Sequence, residues 1–354
     1  MTAFCLYGPQ LQPSSFRVVM NGFAEGLRAL GHEVFCVATD RERGEEDEVS
    51  PGVMAPVGVM FGVPHQAYRM KRYASHARRF CMVAPNSSTM TESVPRWVRE
   101  GEAELLTPSP WGKEVLAELA PDLRCTVVPH GLGPEYARHG VHLVSDHDEY
   151  VVGHVTSTAS DRKGTLVLAE AFGWAALAGE LGPSPRLRIK ADPVTTRILR
   201  DRVEALALSP GRSRSVDIRV EWVSYVPSLR DDFLKLCDVI AQPSRAEGFG
   251  LCGLEALASV VPVVATLCTG HSYLHTPWQS AVVAVEHGPE DESDDFEGAA
   301  APTVASEAVR NALVLAYQQR QPLRDVARET APRWYAEFAW PVVLAPWAKE
   351  VSGG

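Results

Sequence analysis

Cysteine is scarce in this sequence, seven among 354 residues, and no two stand in C-x-x-C spacing. Their scatter (5, 36, 81, 125, 237, 252, 268) and odd number argue against a disulfide framework and for reduced thiols in a cytoplasmic protein. Long apolar runs are missing too: no stretch reaches the roughly 18 uninterrupted residues that a spanning helix needs, and MTAFCLYGPQ has neither the basic nor the apolar region of a signal peptide. Neither a transmembrane segment nor export is therefore expected, and the basic residues 69–79 read as a solvated helix face rather than a membrane-binding one. Basic charge is in deficit, 34 Lys and Arg against 44 Asp and Glu for a net charge of -10, which argues against a nucleic-acid partner. No G-x-G-x-x-G follows the first apolar run, so a dinucleotide-dependent oxidoreductase is poorly supported. No D-x-D motif stands at a strand end either. Asp146-His147-Asp148 and residues 291–295 sit in linker-like surroundings, and no metal is expected.

What is present is ample apolar material, 45% of residues, in a chain too long for one core, so two domains of roughly 150 residues each are expected. Short apolar runs alternate with helical periodicity. A strand at 3–7, a Gly/Pro/Ser-rich loop at 8–15, a helix at 16–30 and a strand at 33–38 make one β-α-β unit. Strands at 56–63, 80–84 and 103–106, with helices at 67–79 and 111–119, continue it, and residues 41–48 form a charged loop. Residues 133–149, rich in His, Asp and Gly, read as the linker between domains. A second series follows: strands at 150–155, 186–191, 216–223, 239–242 and 261–266, with helices at 165–177, 195–207, 229–236 and 253–259. The acidic stretch 286–303 reads as a surface insertion that packs against nothing, and a helix pair anchored by Trp334, Phe338, Trp340 and Trp347 closes the chain. The class is α/β, with a first domain over 1–138 that recovers a C-terminal helix at about 333–351, and a second over 149–330.

The most informative segment is QPSRAEGFGLCGLE, beginning at Gln242: a strand end, a glycine-rich loop and a helix start. Its backbone N–H groups at a positive helix N-terminus suit a phosphate or a sugar hydroxyl, and Glu247 and Glu255, with seven residues between them, suit adjacent hydroxyls of a ribose or hexose. Read as spacing only, two such glutamates also arise by chance, and Glu255 equally serves as favourable charge at a helix start. A second marker is Asp161-Arg162-Lys163-Gly164-Thr165 at another helix start, where a lysine before a glycine can neutralise a diphosphate or be an ordinary basic turn.

The run DVIAQPSRAEGFGLCGLEALASVVPVVAT from Asp238 resembles, nearly residue by residue, the E-x7-E region of glycosyltransferase family 4, retaining enzymes of GT-B fold. Val260 stands where that family usually has glycine, a departure expected to alter helix termination. The R-K-G of 162–164 resembles the family's diphosphate-binding turn, although in many members the arginine lies earlier, near His154 here. TESVPRW from Thr91, LLTPSPW from Leu105 and the VVPHG that ends at Gly131 resemble segments of the first lobe, with His130 read chiefly as a turn residue. The likeness spans about 330 residues and is strongest in the second domain.

The resemblance implies two Rossmann-like domains with parallel sheets facing across a cleft, the C-terminal helix crossing back to the first. A nucleoside diphosphate sugar, UDP-sugar first, would bind the second domain without metal or cofactor, and a small polar acceptor the first, with lobe closure excluding water. It further implies Lys163, Arg162 and Glu247 as catalytic residues and Glu255, Gly248, Phe249, Gly250, Leu251 and Gly8 around the donor. Lys163, Arg162 and the helix N-terminus after Gly253 would stabilise the leaving diphosphate, Glu255 would hold the ribose and Glu247 would orient sugar hydroxyls. Ser14, Ser15, Glu92 and His271 are further contacts so implied. Transfer with retention is the expectation; the Ala, Arg, Val and Pro richness points to a high-GC bacterial source, and a short chain without a membrane anchor fits a small polar acceptor from natural-product biosynthesis. A sugar-nucleotide 2-epimerase of the same fold and a non-catalytic nucleotide-sugar-binding protein stay open as alternatives.

Overall fold

A computed structural model describes residues 1–9, 15–39, 55–61, 76–85, 93–138, 149–158, 161–208, 217–274, 281–292 and 300–353. The chain divides into two compact units, Met1–Pro134 with Ala336–Gly354, and Glu135–Tyr335.

In the first unit, β1 (Ala3–Gly8), β2 (Glu33–Ala38), β3 (Val57–Phe61), β4 (Arg78–Met82), β5 (Glu104–Thr107) and β6 (Cys125–Val127) form one parallel sheet in the order β2-β1-β3-β4-β5-β6. Strands covered on both faces read as continuous apolar runs, and β3, VGVMF, is buried at every residue. Helices α1 (Ser15–Ala29), α2 (Ser93–Glu100) and α3 (Pro110–Leu119) join them. Ser109 caps α3 by accepting from the Gly112 N–H, with Pro110 behind it. Two expectations need correction here. Arg78 and Arg79 open β4 rather than end a helix, because Phe80, Cys81 and Met82 continue the buried strand; and α2 lies within a segment singled out only for its motif.

The C-terminal helix α10 (Trp340–Ser352) belongs to this unit and lies along α1. Gly22 and Gly26, one turn apart, make room for it: a Cβ on Gly22 would stand 1.9 Å from Trp340 Nε1, and one on Gly26 2.7 Å from Leu344 Cδ1. Trp347 packs its ring on Phe4, Phe23 and Phe80. The expected start near 333 is too early, since residues 320–338 belong to the preceding helix.

The second unit repeats the plan with β7 (Glu149–Val155), β8 (Ser184–Lys190), β9 (Arg219–Val223), β10 (Val239–Gln242), β11 (Val263–Thr266) and β12 (Val282–Val285), all parallel in the order β12-β11-β10-β7-β8-β9. Its helices are α4 (Thr165–Leu177), α5 (Pro193–Ala207), the single turn α6 (Leu229–Asp232), α7 (Leu251–Ala258), α8 (Ser306–Gln318) and most of α9 (Arg320–Phe338). Leu168, Phe172, Leu187, Ile189, Val239, Val264 and Leu313 are among the residues of its core. Asp238, which opens the recognised run, is structural: it accepts from the Val151 N–H at 2.7 Å and pairs with Arg324.

Three further readings change. The expected helix at 229–236 breaks at Phe233 (φ -133, ψ -65) into α6 and a 3-10 turn, Leu234–Leu236. Helix α7 starts at Leu251, not Gly253, because Gly250 takes φ +81 and ends the loop. Within the acidic stretch, β13 (Glu290–Glu292) and β14 (Ala300–Pro302) pair antiparallel, Ala301 is buried against Ala246, and Asp291 binds Arg245, so the stretch does pack. Val260, in place of a glycine, takes φ +66 after α7, and the Val261 N–H donates back to the Ala256 carbonyl at 2.9 Å. The helix therefore ends as a glycine would end it, with a β-branched residue in the left-handed region.

Candidate active site

From β7 the chain builds outward through β8 and β9, then returns to β10 on the other side of β7. Open α/β sheets bind ligands beyond the carboxyl ends of the strands at such a reversal. The segments that follow these strand ends, 156–158 and 161–164 after β7 and 243–250 after β10, carry the residues singled out in the sequence.

The loops are locked together through the backbone. Gly164 takes φ +65, and a Cβ on it would lie 2.2 Å from the Pro243 carbonyl oxygen, so the turn can close on the β10 loop only as glycine. The Arg245 N–H donates to the Arg162 carbonyl at 2.9 Å. A third loop, after β11, joins them: the Gly270 N–H donates to the Glu247 carbonyl at 2.8 Å, and the Glu247 N–H donates to Thr269 Oγ1 at 3.0 Å.

Glu247 is the centre of this arrangement. Lys163 Nζ donates to its Oε1 at 2.5 Å, Ser244 Oγ donates to the same oxygen at 2.9 Å, and Arg162 Nη1 stands 3.6 Å from Oε2 while donating to the Ala246 carbonyl at 3.0 Å. Burial opposes the charge on Glu247, but Lys163, then Arg162 and His271, outweigh it and bring its pKa down to about 2. At neutral pH the site therefore holds a buried carboxylate between two cations that are themselves only slightly exposed. Two helices start beside it, α4 with Gly164 and α7 with Gly250 as N-caps, and neither cap has a side chain to bond the first N–H groups. Cations and helix N-termini thus gather where an anion would gain most.

Glu255 lies apart, in the second turn of α7 rather than the first, hydrogen-bonded to Tyr136 of the 3-10 turn Pro134–Ala137. Burial, with a smaller push from Glu135, raises its pKa to about 8 against the pull of Tyr136 and Lys190, so it is protonated at pH 7. Burial, with a smaller push from Glu255, raises the Cys252 thiol well above its ordinary pKa. Gly248 and Phe249 are buried in the β10 loop; Gly250 and Leu251 are partly exposed at its end. A Cβ on Gly250 would meet the His271 ring at 2.0 Å, and His271 Nδ1 donates to the Thr266 carbonyl at 3.0 Å, leaving Nε2 as the acceptor.

His154 does not take the arginine's part: it is fully buried, Nδ1 donates to the Ala241 carbonyl at 2.8 Å, Nε2 accepts from Thr165 Oγ1 at 3.0 Å, and burial lowers its pKa to about 4. It ties β7 to β10 and to the start of α4. Gly8 ends β1 in the first unit, where a Cβ would stand 2.7 Å from Met20 Sδ. His130 sits near the Trp340 ring, and burial lowers its pKa to about 3. Ser15 opens α1; Ser14, Glu92, Asp146, His147, Asp148, Asp294 and Asp295 lie outside the described residues. Among the described residues no three His, Cys, Asp or Glu side chains gather as a metal site, and no helix is long and apolar enough to cross a membrane. Sequence reasoning passed over Ser244 and Arg245, although both stand inside the recognised run.

Residues 149–301 match the family model described as glycosyl transferases group 1. Among curated proteins the sequence finds no relative. Solved structures similar over the full length include Anabaena HepE in complex with UDP and glucose (14% identity, all of both chains covered, TM-score 0.68). Sucrose-phosphate synthase from Thermosynechococcus elongatus matches at 15% identity over 100% of this chain and 99% of that one, with TM-score 0.72. A glycosyltransferase from Rickettsia africae matches at 12% identity over 99% and 97%, with TM-score 0.70. At such identities the likeness is one of fold, the GT-B fold.

Proposed function

We propose that this enzyme, whose residues 149–301 form a group 1 glycosyltransferase domain, moves a sugar from a nucleoside diphosphate sugar to a hydroxyl of a small polar acceptor, with retention at the anomeric carbon. The observation that carries this is the buried Glu247 paired with the half-buried Lys163 and Arg162, set beside two helix N-termini that lack side-chain caps. A diphosphate arriving there competes with Glu247 for Lys163 and Arg162 and gains the helix N–H groups as well. The same groups stabilise the charge that grows on the leaving diphosphate as the glycosidic bond breaks, the kind of fixed electrostatic term that usually lowers a barrier most. Glu247, released from part of its ion pairing, accepts hydrogen bonds from sugar hydroxyls, and Glu255 holds the ribose.

In this reading the second unit takes the donor and the first the acceptor, and the positive charge comes from the protein without a metal or cofactor. UDP-glucose is the first donor to test, because HepE has been crystallised with it. Retention fits attack from the face that the leaving group vacates, with the departing phosphate taking the acceptor's proton. A cytoplasmic, bacterial setting and an acceptor from natural-product biosynthesis complete the proposal.

The test is titration with UDP-, GDP-, ADP- and dTDP-sugars without added metal, read by thermal shift and nucleotide release, beside Lys163→Ala and Glu255→Ala. One nucleotide family is expected to stabilise the wild type and neither variant. Binding that survives both substitutions, or no binding at all, overturns the assignment. The anomeric configuration of a transfer product, read by NMR, decides retention.

A further inference from the structure

Arg245 stands inside the recognised run, yet no role in donor binding falls to it. Its side chain is 7% exposed. A buried guanidinium is tolerated only when its donors are met, and here they are met by three separate stretches of chain. Nε donates to the Pro302 carbonyl at 2.9 Å, Nη1 to Asp161 Oδ2 at 2.9 Å, and Nη2 to Asp291 and, at 3.2 Å, to the Ala301 carbonyl. Both acids are more exposed than the arginine, so the pairing draws surface carboxylates onto an interior cation.

What Arg245 grips is the turn that presents the cations of the site. Its side chain holds Asp161 and its own N–H holds the Arg162 carbonyl, so the 3-10 turn Asp161–Lys163 is fastened at two points to the loop that carries Glu247. Next along, the Ala246 carbonyl receives Arg162, and Ala246 is backed by Ala301 of β14. The pair β13–β14 therefore braces the loop from behind, through Arg245.

We propose that Arg245 is a positioning residue: with Asp161, Asp291 and β14 it holds the R-K-G turn and the Glu247 loop in the relative placement that donor binding requires. This rests on the reading of the site as a donor site. Lysine cannot substitute, because one ammonium cannot span Asp161, Asp291 and the β14 carbonyls as a planar fork does.

The test compares the full-length wild type with Arg245→Lys and Asp291→Asn by hydrogen–deuterium exchange and UDP-glucose titration. Arg310→Lys, in a surface pair with Glu180 elsewhere in the second unit, serves as control. Arg245→Lys is expected to speed exchange about tenfold in 161–165 and 244–250 while β7 and β10 keep their protection, and to weaken UDP-glucose binding about tenfold; Asp291→Asn gives a smaller change of the same pattern. Unchanged exchange in both segments overturns the proposal. So does faster exchange spread evenly over the second unit, which marks a merely structural arginine, and so does looser exchange with undiminished donor affinity. If the wild type itself binds no nucleotide sugar, the donor-site reading fails, and the exchange pattern still decides whether Arg245 sets the placement of the two loops.

Discussion

Glu255 gives the sharpest quantitative expectation. Its carboxyl is buried beside Tyr136 and Glu135, with a pKa of about 8 in the folded protein against 4.5 when unperturbed. Below pH 4.5 both folded and unfolded chains carry the proton, and the group is neutral to stability. As the pH rises, the unfolded chain releases the proton first, so stability falls by about 1.4 kcal/mol per pH unit until the folded pKa is passed. Integrated from 4.5 to about 8, the loss comes to about 5 kcal/mol, a large part of what an ordinary domain has. Glu255→Gln keeps the shape and a hydrogen bond to Tyr136 and has no charge to release. The difference in unfolding free energy, variant minus wild type, should therefore grow with pH from about 5 to 8 and level off above. Urea unfolding of the full chain at pH 5, 6, 7, 8 and 9 measures it. A difference that stays flat with pH, or that shrinks as pH rises, refutes the argument that burial keeps this carboxyl protonated.

Two stability expectations follow from the backbone and from helix packing. Val260 is buried at φ +66, so Val260→Ala loses packing and keeps most of the strain, whereas Val260→Gly loses packing and relieves it; glycine should retain about 1 kcal/mol more stability than alanine, the reverse of the usual order, as denaturant midpoints would show. Gly22→Ala places a methyl group where Trp340 already lies, and a loss of about 2 kcal/mol is expected despite alanine's better helix propensity; an unchanged Tm would mean that α10 does not rest on α1 as described.

Much of the fold was legible because parallel strands and their helices leave strong periodic signals. Runs such as VIAQ and VVAT are short, apolar and bounded by turn residues, and they are β10 and β11. Boundaries failed where one residue's backbone angle decides: Phe233 broke a periodic helix, and Gly250 moved the start of α7 by two residues. The acidic stretch misled for another reason. Its composition says solvent, but Asp291 and Ala301 meet Arg245 and Ala246 from a distant part of the chain, and composition does not report a long-range partner.

The sequence by itself determined the alternation of strands and helices and the chain's division into two units, and it singled out Lys163, Arg162, Glu247 and Glu255 as candidates from local pattern and resemblance. Only the tertiary structure decided which of them meet. Glu247 sits with Lys163 and Arg162, 84 and 85 residues away in sequence, because β7 and β10 are neighbours in the sheet, whereas Glu255, eight residues on, has turned along α7 toward Tyr136. The physical reason is that charge state depends on surroundings. Two glutamates in one motif end at pKa values of about 2 and about 8 because Lys163 and Arg162 outweigh burial at Glu247, whereas at Glu255 burial, with a smaller push from Glu135, outweighs the pull of Tyr136 and Lys190.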